Sequence, residues 1–354
     1  MYKFINICIL LIILIILILY ILHNNRLKIY DLLTNQETES VKWPFINLLD
    51  NNNKNLPIIG IMAYISTDDY RNRFEKLLLN KNIKFIGLSA NNSHPRICDN
   101  PHGNCHIVEN IKYNGKYIED YVDGWSHCFK HPEKYIKNNL PMAQISESDF
   151  TDYKSIAPKD TKKKYDFIAV QNKDNNECKD GWRSYYKNWP LCKKVIRVLV
   201  DELDLTGIII GRKGCEKDIN IKNKDNLILT DDINHDTLIQ YMNESKFTLL
   251  PNLEEASPRV LTESLCLNVP VLVYENILGG WKYINDDTGQ FFNENNLTEK
   301  VKLILKNKYE PRKYFIENYG IINSGYRLKD FIKSIYPNLD EINNCEYIHF
   351  SKGW

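Results

Sequence analysis

The stretch KFTLLPNLEEASPRVLTESLCLNVPVLVY, residues 246–274, decides the fold. Residues 247–250 are a short apolar run, and Pro251-Asn252 ends it with turn chemistry. Ser257 is a good N-cap, and Pro258 suits the first helical position, where a missing N–H costs nothing. These signals predict a helix over residues 258–267. Asn268 can close it, and residues 269–274 read as a buried strand. Strand, acidic turn, short helix and strand make one unit of a doubly wound α/β domain. The helix start presents backbone N–H groups, a ready site for phosphate. Two carboxylates flank it: Glu255 before the cap, and Glu263 eight residues later.

Working outward, residues 165–170 read as the first strand of a sheet, 190–203 as an amphipathic helix, 205–211 and 226–230 as strands, and 235–242 as a second amphipathic helix. Arg212 and Lys213 follow the strand LTGIIIG, at the carboxyl end where open α/β sheets bind ligands. Arg259 falls in the first turn of the 258–267 helix, where its charge would suit an anion.

Glu255 and Glu263, with FTLLPN before them and NVPVLV after, resemble the donor-site motif of glycosyltransferase family four and its relatives of GT-B fold. Ala256-Ser257-Pro258 stands where that family usually has Gly-Phe-Gly, which alters the phosphate contacts but keeps a helix start. The resemblance covers residues 165–305. DNLILTDDINHDTLIQYMNESKFTLLPN has the family's order of strand, helix, Tyr, strand and Pro, and NDDTGQFF resembles its acidic-Thr-Gly turn. ASPRVLTESLC with LGGWKY is also similar to glycosyltransferases of large DNA viruses and algae. The resemblance implies an α/β protein of GT-B architecture, with two Rossmann-like domains facing a cleft. It implies a nucleotide-sugar donor as substrate and no cofactor, with retention of configuration and no metal. Glu263 would accept the ribose hydroxyls, and Glu255 would hold hydroxyls of the donor sugar. Lys173 and Lys179 loosely resemble the family's Arg…Lys phosphate pair, and Ser257, Arg259 and Arg212 join them as diphosphate candidates. The acceptor would be a glycan, a lipid or a protein.

The chain has 354 residues, enough for two domains. Its net charge of +1 gives no sign of a nucleic-acid partner. Residues 4–22, FINICILLIILIILILYIL, are nineteen residues without a charge, long enough to span a bilayer. They lack the small residues that end a cleaved signal peptide, so they read as a single-pass signal anchor, its orientation open. Residues 57–64, 68–82 and 83–88 read as strand, helix and strand without a dinucleotide glycine fingerprint. Residues 140–145 read as a further strand. The expected organisation is an anchor over 1–25, a stalk over 26–56, an acceptor domain over 57–155 and a linker over 156–164. A donor domain over 165–325 follows, then a helix and tail over 326–354 that cross back to the first domain.

Nine cysteines are scattered without a Cys-x-x-Cys, so the chain is not a disulfide scaffold. His94, His102, His106, His127 and His131 cluster with Cys98, Cys105 and Cys128, but match no familiar zinc spacing. A Cys98–Cys105 bridge would need an oxidising lumen. His127, in DGWSHCF, is the acceptor-side catalytic candidate. Glu147-Ser148-Asp149 reads as a strand-end turn or cleft lining rather than a metal triplet. Two other readings stay open: a non-catalytic relative acting as a membrane-tethered binding subunit, and an inverting enzyme with His127 or Asp149 as base.

Overall fold

The structure is a computed structural model that describes residues 41–89, 115–116, 120–136, 139–174, 177–179 and 181–351. The expected anchor, the Cys98 and Cys105 pair, and His94, His102 and His106 lie outside them. Among the described residues no helix is long and apolar enough to cross a membrane.

Among the described residues, two six-stranded sheets organise the fold. The first opens with β1 (Phe45–Asp50), which turns into antiparallel β2 (Asn55–Ile61). The Asp50 carboxylate accepts the N–H groups of Asn52 and Lys54, and Asn53 takes the left-handed conformation at φ 63°. Helix α1 (Asp68–Leu79) is capped by Thr67, whose hydroxyl accepts the Tyr70 N–H. It leads to β3 (Lys84–Leu88), and the short parallel strands β4 (Trp125–Ser126) and β5 (Met142–Ala143) extend the sheet.

The second sheet begins with β6 (Tyr165–Val170), followed by α2 (Trp182–Tyr186) and α3 (Trp189–Arg197). Then come β7 (Gly207–Ile210), α4 (Glu216–Ile219), β8 (Leu227–Leu229) and α5 (His235–Asn243). Strand β9 (Ser245–Leu250), α6 (Arg259–Cys266) and β10 (Val271–Tyr274) are the organising stretch; β11 (Gly289–Phe292) and α7 (Leu297–Lys306) complete the sheet. The strand order is β11-β10-β9-β6-β7-β8, parallel throughout. Helices cover both faces, which is why its central strands are near-continuous apolar runs.

After α8 (Pro311–Asn318), α9 (Gly320–Ile335) returns to the first sheet, where Leu328, Phe331 and Ile332 pack with Ile58, Ile86 and Leu88. Helix α10 (Asp340–Asn344) leads to β12 (Ile348–Phe350), which pairs antiparallel with β1.

Two expectations change. The segment read as a stalk over 26–56 supplies β1, whose Phe45, Ile46 and Leu48 are core residues. The tail over 326–354 supplies its partner strand, and the returning helix already starts at Gly320. Strand β1 lies in an Asn-rich polar stretch, and β12 is only three residues long and pairs with a strand at the opposite end of the chain.

Cys178 and Cys215 form a disulfide, with Cα atoms 5.5 Å apart, tying the loop after β6 to the loop after β7. Their separation of 37 residues gave no signal in the sequence. Closing such a loop is worth about 3–4 kcal/mol in the chain-entropy account. The Cys178→Ser/Cys215→Ser protein should therefore melt roughly 10 °C below the parent. Identical melting of the parent with and without reductant would rule the cross-link out.

Candidate active site

The site lies at the carboxyl edge of the second sheet, where β6, β7 and β9 end and α6 begins. Helix α6 starts at Arg259, one residue later than expected, with Pro258 in the N-cap position and no side-chain cap. Ser257 does not cap the helix. Its hydroxyl accepts the Ser148 N–H at 3.0 Å and meets the Ser148 hydroxyl at 2.8 Å, joining the two sheets' units. The first N–H groups of α6 are thus left without a capping side chain. The loop beside them needs Gly279: a Cβ there would lie 1.8 Å from the Ala256 carbonyl oxygen. Asn268 ends the helix in the left-handed conformation, as expected.

Glu255 and Glu263 are both buried, and each carboxylate is held by neighbouring side chains. Lys187 Nζ donates to both oxygens of Glu255, at 3.0 and 2.9 Å, and the Asn252 amide donates to Glu255 Oε2. Glu263 Oε1 lies 2.9 Å from His235 Nε2, at the first residue of α5. Arg259 is exposed at the helix start.

Lys187 was missed in the sequence. Lys179, chosen as the second member of the phosphate pair, points to solvent and pairs with Glu177 at 3.0 Å. Lys187, at the carboxyl end of α2, is the lysine that reaches Glu255. The signal was Lys-Asn-Trp-Pro: Asn188 takes the left-handed conformation at φ 53° and starts α3. Lys173 stays at the edge, with Nζ 3.0 Å from the Lys213 carbonyl oxygen. Arg212 is fully buried instead of reaching the cleft. Its guanidinium stacks 4.2 Å from the Trp189 ring centre and donates to Ser184 Oγ at 3.1 Å. It braces the loops that carry Lys173 and Lys187.

The first sheet's unit faces this edge with His127 and the turn 146–150. Asp149 is fully buried in that turn. Its carboxylate accepts Lys282 Nζ at 2.7 Å, the Tyr283 hydroxyl and the Ser146 N–H. The expected strand-end turn is a capped 3-10 turn, and Asp149 is committed to a structural ion pair. Among the described residues no group of three or more His, Cys, Asp or Glu is placed to hold a metal ion. Glu147 is partly buried beside Ser257 and Arg259. Burial pushes its carboxyl up to about 8 against the opposing pull of Arg259.

His127 is 5% exposed, and its buried Nδ1 has no hydrogen-bond partner. Burial, then the charge of Lys282, push it down from 6.5 to about 4. Between those values the unfolded chain takes up a proton that the folded chain refuses. The stability it contributes is therefore complete above pH 6.5 and lost as pH falls toward 4, by about 3 kcal/mol at most. Glu147 has the opposite sign: it favours the fold below 4.5 and loses that contribution as pH rises toward 8. On going from pH 7.5 to pH 5 the denaturant midpoint of the parent should therefore fall relative to that of His127→Gln, which lacks the group but keeps Glu147. An identical pH dependence in the two proteins would mean that His127 titrates normally.

Residues 180–319 match the family model of glycosyl transferases group 1. In fold the chain is similar to a glycosyltransferase from Rickettsia africae ESF-5, with TM-score 0.53 at 14% identity, covering 79% of this chain and 77% of that one. It is likewise similar to the pneumococcal O-GlcNAc transferase GtfA solved with UDP and GlcNAc (0.52, 14%, 81% and 57%). Sucrose-phosphate synthase from Thermosynechococcus elongatus gives 0.52 at 10%, covering 79% and 74%. The chain spans 57% of the length of GtfA and 53% of TarM. No curated protein sequence matches it. The chain is an α/β protein of GT-B fold, and its residues 180–319 are similar to the glycosyl transferases of group 1.

Proposed function

We propose that this chain transfers a sugar from a nucleotide-sugar donor to a glycan, lipid or protein acceptor, with retention of configuration and without a metal ion. One observation carries the proposal: the uncapped start of α6 lies between two buried carboxylates, with Lys187 held on the nearer one. The α6 N–H groups, Arg259, Lys187 and Lys173 would hold the diphosphate and stabilise the charge that develops on departure. Glu263 would take the ribose hydroxyls, and Glu255 those of the donor sugar.

The Lys187 ammonium on both oxygens of Glu255 lowers that carboxylate's nucleophilicity, which favours orientation of the sugar over covalent attack. Asp149 is buried and paired with Lys282, so it cannot serve as a base for an inverting displacement. His127, neutral at pH 7, would face the acceptor side.

Two measurements test the proposal. Nucleoside diphosphate release is followed over a panel of nucleotide sugars, headed by UDP-sugars, with and without EDTA. Release from one donor, unaffected by EDTA and lost at least a hundredfold in Glu255→Ala, is expected. Silence across the panel, together with no thermal shift by any nucleotide, would instead favour a non-catalytic relative. The apolar residues 4–22 would hold the enzyme at a membrane. Full-length chain should stay in the pellet after alkaline carbonate extraction, and a chain lacking residues 1–25 should not; equal partition of the two would remove the anchor.

A further inference from the structure

At the rim of the site, the His235 side chain serves no purpose in its own helix. Helix α5 is already capped by Asn234, whose side chain accepts the Thr237 N–H at 2.8 Å. The His235 imidazole instead reaches across to α6 and places Nε2 2.9 Å from Glu263 Oε1. Its side chain remains 56% exposed, whereas that of Glu263 is 10% exposed. Among the described residues the second carboxylate oxygen, Glu263 Oε2, has no hydrogen-bond partner. The carboxylate is therefore fixed by one oxygen and open at the other, beneath an accessible imidazole edge.

We propose that His235 is a positioning residue for the nucleoside: it locks the Glu263 carboxylate so that the open oxygen accepts from a ribose hydroxyl, and so makes the site prefer ribonucleotides over deoxyribonucleotides. This rests on the donor site proposed above. The physical argument is entropic and geometric. A lone glutamate on a helix has several rotamers, and freezing one on ligand binding weakens the contact it makes. A carboxylate already held at one oxygen presents the other in a single direction, and a charge-assisted hydrogen bond made there is among the stronger ones. Truncation of His235 leaves Glu263 and its charge in place. The nucleotide should still bind, but the hydroxyl should count for less.

The test compares ribonucleotide with deoxyribonucleotide binding on the full chain by titration calorimetry. UDP, GDP and ADP are screened first. The one that binds is then compared with its 2′-deoxy and 3′-deoxy forms in the parent, His235→Ala, His235→Gln and Glu263→Gln proteins. The parent should prefer the ribonucleotide by about tenfold or more over at least one deoxy form. Glu263→Gln should abolish the preference. His235→Ala should cut it to about threefold or less while the deoxy forms bind as in the parent, and His235→Gln, whose amide can donate to Glu263, should restore part of it. A merely structural role would weaken ribo and deoxy forms alike. Full preference in His235→Ala, with loss in Glu263→Gln, would overturn the role of His235 and leave the donor site standing. A parent that binds none of the three nucleotides, or a preference that survives Glu263→Gln, would overturn the donor site itself.

Discussion

Asp149 has no access to solvent, and the groups that neutralise it come from the other sheet. Lys282 and Tyr283 both reach its carboxylate, and Ser324 on α9 donates to its backbone carbonyl at 2.8 Å. A carboxylate taken out of water without partners costs several kcal/mol. The turn 146–150 therefore persists only while the loop 280–283 and the returning helix are docked against it. Burial and the neighbouring carboxylate hold the Tyr283 phenol well above its ordinary value, so it stays a hydrogen-bond donor at any physiological pH. Trp281 adds a bond to the Cys128 carbonyl at 3.2 Å, and Thr151 one to Thr262 at 2.7 Å. This polar seam fixes the two units in one arrangement, and from it follows which groups of the first unit, His127 and Glu147, confront the start of α6.

At that helix start the replacement of a glycine-rich segment by Ala-Ser-Pro has a clear structural consequence. Pro258 brings no N–H, so the N-cap position contributes neither a donor nor a capping acceptor. Ser257, which could have capped, is turned toward Ser148. Close backbone approach, which glycines would supply within the motif, is supplied instead by Gly279 against Ala256 from the following loop. The helix end keeps its anion-binding character while its rim is rebuilt from a different part of the chain.

The central stretch was legible because each of its signals is local. Apolar runs gave β9 and β10, Asn268 gave the helix end, and the spacing of Glu255 and Glu263 gave the two buried carboxylates. What failed was set by distant contacts. Ser257 has the chemistry of a cap, but a serine 109 residues earlier competes for it. Arg212 sits at a strand end where ligands bind, yet the face of Trp189 draws it inward. Lys179 and Lys187 differ by nothing in their own chemistry; only the path of α2 decides which faces Glu255. Likewise β12 exists only by pairing with β1 across the length of the chain. Periodicity and capping describe neighbours in sequence, and the site was missed wherever its geometry depends on neighbours in space.

The two carboxylates that define the site are restrained to different degrees. Glu255 is held at both oxygens by a lysine that is itself only 12% exposed, and by Asn252 at one. Any ligand hydroxyl that bonds Glu255 must share an oxygen already taken, so the carboxylate's direction is set before the ligand arrives. That suits a group whose task is to orient a reacting sugar, where small misplacements cost rate steeply. Glu263 is held at one oxygen only, by a half-exposed ring at the rim. It keeps one acceptor for a partner from outside, which suits binding more than chemistry. The division follows from where the neighbours sit. Lys187 comes from under the sheet edge, where the α2–α3 junction is packed on Gln171 and Trp189, and it cannot move without disturbing the core. His235 comes from the first residue of an exposed helix start and can.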